Sequence, residues 1–207
     1  MSRSTAAVPD DTVANVLGLP LIWLGGMAFE FYTVGHSTRT IDNFVRLLRT
    51  VDVEVVADIR SVPRSRTNPQ YNKDSLREAL AALQIEYRDI AELGGLRGKS
   101  KTAPPELNGF WENQSFHNYA DYALTEPFRI GLLQLITMGR GRRCAMMCSE
   151  AVWWRCHRRI VADHLITRGE SVFHLIGDDR VVKAKLTEGA QVRDNGEVIY
   201  PAKDFSS

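Results

Sequence analysis

Glu30-Phe31-Tyr32-Thr33-Val34-Gly35-His36-Ser37-Thr38 opens the stretch whose reading decides the fold, which runs on to Ile59. Glu30–Val34 alternates and is β-favouring, so it reads as a strand, and Gly35–Thr38 reads as a turn. Ile41, Phe44, Val45, Leu47 and Leu48 then recur at helical spacing. Ser37 or Thr38 is expected to cap that helix. Val53–Ile59 is short and β-branched, the pattern of a strand buried on both faces. A strand, a helix and a buried strand within thirty residues form a crossover unit, which joins parallel strands.

Further along the chain the alternation repeats. Asn72 or Asp74 can cap a helix carrying Leu76, Ala79, Leu80 and Leu83, and Ile85–Tyr87 reads as a short strand. His117–Met138 reads as one or two helices interrupted near Pro127, and Cys144–Cys148 as a strand. Arg155–Arg168 reads as a helix that Gly169 can end, and Val172–Ile176 as a further strand. Residues 92–116 are punctuated by Gly94, Gly95, Gly98, Pro104 and Pro105 and read as a long loop. The tail, 177–207, carries a weak pattern. The predicted fold is α/β: a mostly parallel sheet with helices on both faces, a Rossmann-like three-layer architecture. Residues 27–207 are expected to form a single α/β domain.

Residues 1–26 lack the basic start and small-residue cleavage site of a secretory signal. They are expected to be an N-terminal arm, or to precede the true start at Met27. The 207 residues are 44% hydrophobic and 25% charged with a net charge of +1, which excludes disordered and collagen-like classes and any global field for nucleic acid or membrane. No uninterrupted apolar run approaches the length of a membrane-spanning helix. Three cysteines within thirteen residues do not resemble a secreted disulfide framework, so a reducing cytoplasm is the expected location.

In open α/β sheets ligands bind beyond the carboxyl ends of the strands. That rule selects His36-Ser37, Asp58-Ile59-Arg60 and Cys148-Ser149-Glu150, three polar sets expected on one rim. Cys148-Ser149-Glu150 and Arg155-Cys156-His157-Arg158-Arg159 form the strongest constellation. Residues 139–169 hold seven arginines against Glu150 and Asp163. Cations and a helix N-terminus stabilise a thiolate, so Cys148 is a candidate nucleophile, with Glu150, His157 and His36 as candidate acid–base groups. Cys144 reads as a core residue. Asp58, Arg60, Arg64, Arg155 and Arg158 are candidate substrate-binding residues, the arginines gripping an anion. Arg66 adds to the cluster around Arg64. The loop between Cys148 and Arg155 holds the bulky Ala151-Val152-Trp153-Trp154. It therefore departs from the compact glycine- or serine-rich loops of phosphatases and rhodaneses, and neither activity is inferred.

No cofactor is expected from a motif. The alternative is a metal held by Cys148, Cys156 and His157, although Cys-x7-Cys-His is not a standard zinc spacing. Gly-Gly-Leu-Arg-Gly-Lys-Ser-Lys at 94–101 lacks the spacing of a nucleotide-triphosphate loop and suits a cationic flap instead. Trp111, Phe116, Tyr119, Tyr122, Trp153 and Trp154 supply aromatics for base stacking or for the core.

Several segments carry a family resemblance: Thr33–Ser37, Val56–Ser65, Leu93-Gly94-Gly95, Met147–Glu150 and Cys156-His157-Arg158 with its helix. With these in this order, the chain from about 30 to 176 resembles the family called domain of unknown function 488. The family usually has a more polar stretch where Ala151–Trp154 stands here. The resemblance implies an α/β fold and one polar pocket formed by His36, Asp58, Arg60, Cys148, Glu150, Cys156, His157 and Arg158. It implies no reaction. Two functional classes follow from the residues. One is an enzyme acting on a phosphate-bearing substrate, a nucleotide or nucleic acid. The other is a non-catalytic module that binds an anion or nucleotide or senses thiol oxidation. The expected partner is an anionic small molecule or nucleic acid, with no membrane.

Overall fold

The computed structural model describes residues 28–177 and 180–202. The expectations for residues 1–26 and for a start at Met27 lie outside the described residues.

Six strands form one sheet: β1 (Glu30–Gly35), β2 (Val55–Asp58), β3 (Glu86–Asp89), β4 (Cys144–Cys148), β5 (Ser171–Ile176) and β6 (Arg180–Lys183). Their order is β3-β2-β4-β1-β5-β6. The first five are mutually parallel, and β6 runs antiparallel along β5. The short β7 (Gln191–Val192) and β8 (Val198–Ile199) pair separately as a ribbon. The mostly parallel α/β sheet is therefore as predicted, and β6 to β8 supply the structure that the tail's weak pattern did not show.

Among the described residues, five α-helices cover the sheet: α1 (Ile41–Arg49), α2 (Lys73–Ala81), α3 (Gln114–Tyr122), α4 (Glu126–Gly141) and α5 (Arg158–Ile166). Strand side chains alternate between two cores, as a period of two requires. Tyr32, Val34, Val56, Ala145 and Met147 pack with Phe44, Leu48, Leu76 and Leu80 of α1 and α2. Phe31, Val55, Ala57, Cys144, Met146 and Cys148 pack with Tyr119, Phe128, Leu132, Ile160 and Leu165 of α3, α4 and α5. The result is three layers with helices on both faces. The chain moves one way along the sheet through α1 and α2, and back the other way through α3, α4 and α5. Opposite directions with opposite faces are what right-handed crossovers demand.

Several local expectations are corrected. Thr40, rather than Ser37 or Thr38, caps α1, its side chain accepting from the Asn43 amide at 3.3 Å. Asn72 holds the N-cap position of α2, but its carbonyl oxygen accepts from the Ser65 amide at 2.7 Å, tying down the preceding loop. The interruption expected near Pro127 is present: α3 ends at Tyr122 and α4 begins at Glu126, with Pro127 in its first turn, where no amide donor is needed. α5 begins at Arg158, not Arg155. Trp153–Arg155 is a 3₁₀ turn, and His157 is the N-cap. Cys148 therefore stands nine residues ahead of the N-cap in sequence, although its Sγ lies 3.9 Å from Nδ1 of that N-cap residue, His157.

The order of the strands decides where a site can lie. β4 is inserted between β2 and β1, and its onward connection, α5, packs on the opposite face from α1 and α2. Crevices at strand ends form where neighbouring connections diverge in this way. The carboxyl end of β4, Cys148, has such a divergence on both sides.

Candidate functional site

The polar residues expected on one rim separate into two groups that straddle the sheet edge. On the α1–α2 side, Asp58 is fully buried and Arg60 is 5% exposed. The Arg60 guanidinium donates to Asp58 through Nε at 2.9 Å and Nη2 at 2.5 Å, and Nη2 also donates to the Tyr71 carbonyl at 2.8 Å. Tyr87 donates its hydroxyl to the same carboxylate at 2.6 Å. Arg60 Nη1 lies 3.2 Å from His36 Nε2. Arginine only donates, so Nε2 accepts, and His36 Nδ1 carries the ring hydrogen toward the Ser37 carbonyl at 2.9 Å. The His36 ring stacks on Tyr71 with centroids 4.0 Å apart. Burial, opposed by the Ser37 bond and reinforced by the Arg60 charge, lowers the pKa of His36. Asp58, Arg60 and His36 thus form an internal network with both imidazole nitrogens engaged. It holds the ends of β1 and β2 together.

On the other side lie the thiols. Cys148 ends β4, and alternation places its side chain on the α3–α5 face with Cys144. His157 Nδ1 stands 3.9 Å from Cys148 Sγ and 3.7 Å from Cys156 Sγ. Its Nε2 donates to the Ile59 carbonyl at 3.0 Å. Tyr119 packs on the ring at 4.9 Å between centroids. A Cβ on Gly95 would come within 2.4 Å of His157 Nδ1, and one on Gly94 within 2.6 Å of Ser61 Oγ. The loop after β3 therefore needs both glycines to lie against the site. Arg97 anchors that loop by donating to the Ala91, Glu92 and Gly94 carbonyls, and its guanidinium lies 3.7 Å from the centre of the Tyr122 ring. At least this part of the loop is fixed rather than a free flap.

Arg158 is 1% exposed and ranks first by volume among the fully buried side chains. It donates to the Glu150 carbonyl at 2.7 Å, and its Nε has no partner. No carboxylate pairs with it among the described residues. An unpaired buried cation is costly, and an anion close by offsets that cost. Hydrogen bonding with Cys156 and then with His157, and the charge of Arg158, outweigh burial and hold the Cys148 thiol well below its ordinary pKa. Burial and the neighbouring Cys148 push Cys156 up, so one proton stays with Cys156 while Cys148 ionises. Burial also raises Cys144 to about 12, in keeping with a core role.

The structure thus brings Cys148, Cys156, His157 and Arg158 together, with His36, Asp58 and Arg60 behind the sheet edge. Glu150 is exposed on the lip, and Arg64 and Arg155 are exposed as well. None of these three side chains bonds to the sulfurs among the described residues. Sequence reasoning missed Tyr71 and Tyr87, which complete the Asp58 network, and the Thr33–His174 pair on the thiol side. Thr33 Oγ1 lies 2.8 Å from His174 Nδ1, and Trp153 stacks on His174 at 4.2 Å. Trp111 and Tyr119 are core residues, whereas Trp154 is half exposed.

No helix among the described residues is long and apolar enough to cross a membrane. The family model for the domain of unknown function DUF488 matches residues 40–165. No curated protein and no solved structure matches the chain. The match contains the Asp58–Arg60 turn, both glycines against the site, and all four residues of the thiol group. On this evidence the chain belongs to the family named domain of unknown function DUF488.

Proposed function

We propose that the protein is an enzyme acting on a phosphate-bearing substrate, a nucleotide or nucleic acid, with Cys148 as its nucleophile. The observation that carries this reading is an imidazole nitrogen with a free lone pair 3.9 Å from Cys148 Sγ, beside a buried arginine that has no carboxylate partner among the described residues. His157 Nδ1 accepts the Cys148 proton, and Arg158 balances the resulting thiolate. The thiolate attacks an electrophilic phosphorus or carbon of the substrate, forming a bond to sulfur and breaking the bond to the leaving group. The leaving atom takes the proton from His157 Nδ1. Water then cleaves the sulfur adduct, giving its proton to His157 and restoring the thiolate.

The phosphate is assigned to the loops after β2, β3 and β4. Arg64, Arg66, Lys99, Lys101 and Arg155 are exposed there and form no ion pair among the described residues. Val62, Leu96 and Trp154 are large exposed apolar side chains of the same three loops. Cations beside apolar surface suit a ligand with a charged end and a flat or apolar end. A panel of nucleotides and phosphate esters should reveal turnover that Cys148→Ser abolishes and that Arg64→Ala with Arg155→Ala weakens mainly through KM. Tight binding of a panel member without any chemical change would overturn catalysis in favour of a binding or redox-sensing module.

A further inference from the structure

Cys148 Sγ, Cys156 Sγ and His157 Nδ1 lie within 4.8 Å of one another. A tetrahedral ion with metal–sulfur bonds of about 2.3 Å and metal–nitrogen bonds of about 2.0–2.1 Å sets its sulfur and nitrogen ligands about 3.6 Å apart. The observed separations from Nδ1 are 3.7 and 3.9 Å, so the two sulfur–nitrogen pairs need close by only tenths of an ångström. The second ring nitrogen already donates to a backbone carbonyl, which fixes the tautomer that leaves Nδ1 a lone pair. Metal-bound imidazoles are held in that same way.

We propose that Cys148, Cys156 and His157 bind one soft divalent cation of the zinc class, in a three-ligand centre whose fourth position is left to water or a substrate atom. The inference rests on the same site as the enzyme reading and adds a regulation to it. The ion takes both cysteines as thiolates, releasing their protons, and the two negative charges cancel its own. Cys148 bound in this way is no longer free to attack, so metal occupancy and thiol chemistry exclude each other. Thiolate donors select zinc or cobalt over magnesium and calcium.

The test uses the full chain, stripped with a chelator and titrated with Co2+. One equivalent should bring up a thiolate-to-cobalt absorption and the visible bands of a tetrahedral ion, and Zn2+ should abolish both. Cys156→Ser and His157→Ala should weaken cobalt binding at least tenfold, whereas Cys144→Ser, remote from the cluster, should leave it unchanged. Circular dichroism of each variant guards against misfolding, with Cys156→Ala as the second variant. Zn2+ should also slow alkylation of Cys148 at least tenfold. Absence of the charge-transfer band, or a band unweakened in both Cys156 variants, overturns the metal site. Fast alkylation without cobalt uptake removes the metal alone. Cobalt uptake with slow alkylation of the stripped protein removes the nucleophile alone.

Discussion

His157 joins the start of α5 to the end of β2: its Nε2 donates to the Ile59 carbonyl at 3.0 Å. A carbonyl has no proton to give, so this bond places the ring hydrogen on Nε2 and leaves Nδ1 as an acceptor facing two sulfurs. A hydrogen bond made to the scaffold thereby decides what the imidazole offers to the thiols.

His157→Ala removes that acceptor. In chelator-treated protein at neutral pH, alkylation of Cys148 should slow by about tenfold or more, within the range that a positioned base contributes. Peptide-resolved mass spectrometry separates Cys148 from Cys144 and Cys156. An unchanged rate would show that His157 does not activate the thiol.

Gly95→Ala tests the close approach of the β3 loop. Its new methyl would meet a ring fixed by Ile59 and Tyr119, so the imidazole or the loop must move. Overpacking of this kind costs about 1–3 kcal/mol. Cys148 reactivity should fall with it. Gly98→Ala, where a Cβ meets nothing within 4 Å, should change stability by no more than about 0.5 kcal/mol. Equal effects at the two glycines would contradict the packing argument.

Asp58→Asn leaves the Arg60 charge buried without its carboxylate. Breaking a buried pair in this way costs about 3–5 kcal/mol, which a urea melt would show as a lower midpoint at an unchanged slope. The exposed pair Arg129–Glu126 is the control, and Arg129→Ala should cost less than about 1 kcal/mol. A small loss at Asp58 would mean that the network contributes little to stability.

Acid should destabilise the fold through histidines that are buried uncharged. Burial, and then the Arg168 charge, lowers His164 to about 3. Burial, and then the Arg158 charge, lowers His174 to about 4. Unfolded histidine titrates near 6.5, so below that pH the unfolded chain takes up protons that the folded chain refuses. Stability is therefore full above about pH 6.5 and falls toward pH 4, by about 1.4 kcal/mol per pH unit for each histidine once the unfolded side chain is protonated. Urea melts at pH 7.5 and 5.5 read the difference. A stability that is flat or rising on acidification over that interval would contradict it.

Much of this architecture was legible in local patterns. The β-branched Val53–Ile59 and the spaced apolar residues of α1 identify a parallel unit, and the carboxyl-end rule brings Cys148 and Asp58 to suspicion. The partition of the rim into two groups follows from strand alternation, which puts Cys148 on the face of Cys144 and Asp58 on that of Val56, but the partners that Asp58 finds there were not legible. Asp58 and Arg60 turn inward toward Tyr71, eleven residues beyond Arg60, and Tyr87, twenty-nine beyond Asp58. Arg158 carried a signal that charge conceals: it stands three and seven residues before Val161 and Leu165, on their stripe of the helix. The insertion of β4 between β1 and β2 leaves no local trace at all, since strand order is settled by long-range pairing.

That order has a consequence for synthesis. The two hydrogen-bonded neighbours of β1 are β4 and β5, both encoded more than a hundred residues later. A nascent chain ending before Cys144 can pair β2 with β3, but it leaves Phe31-Tyr32-Thr33-Val34 with both edges open. Such an unpaired apolar strand is prone to wrong pairing and is a natural client for chaperones. The cysteine strand is thus the wedge that closes the sheet, and the ribosome delivers Cys148 in the same segment that completes the scaffold around it.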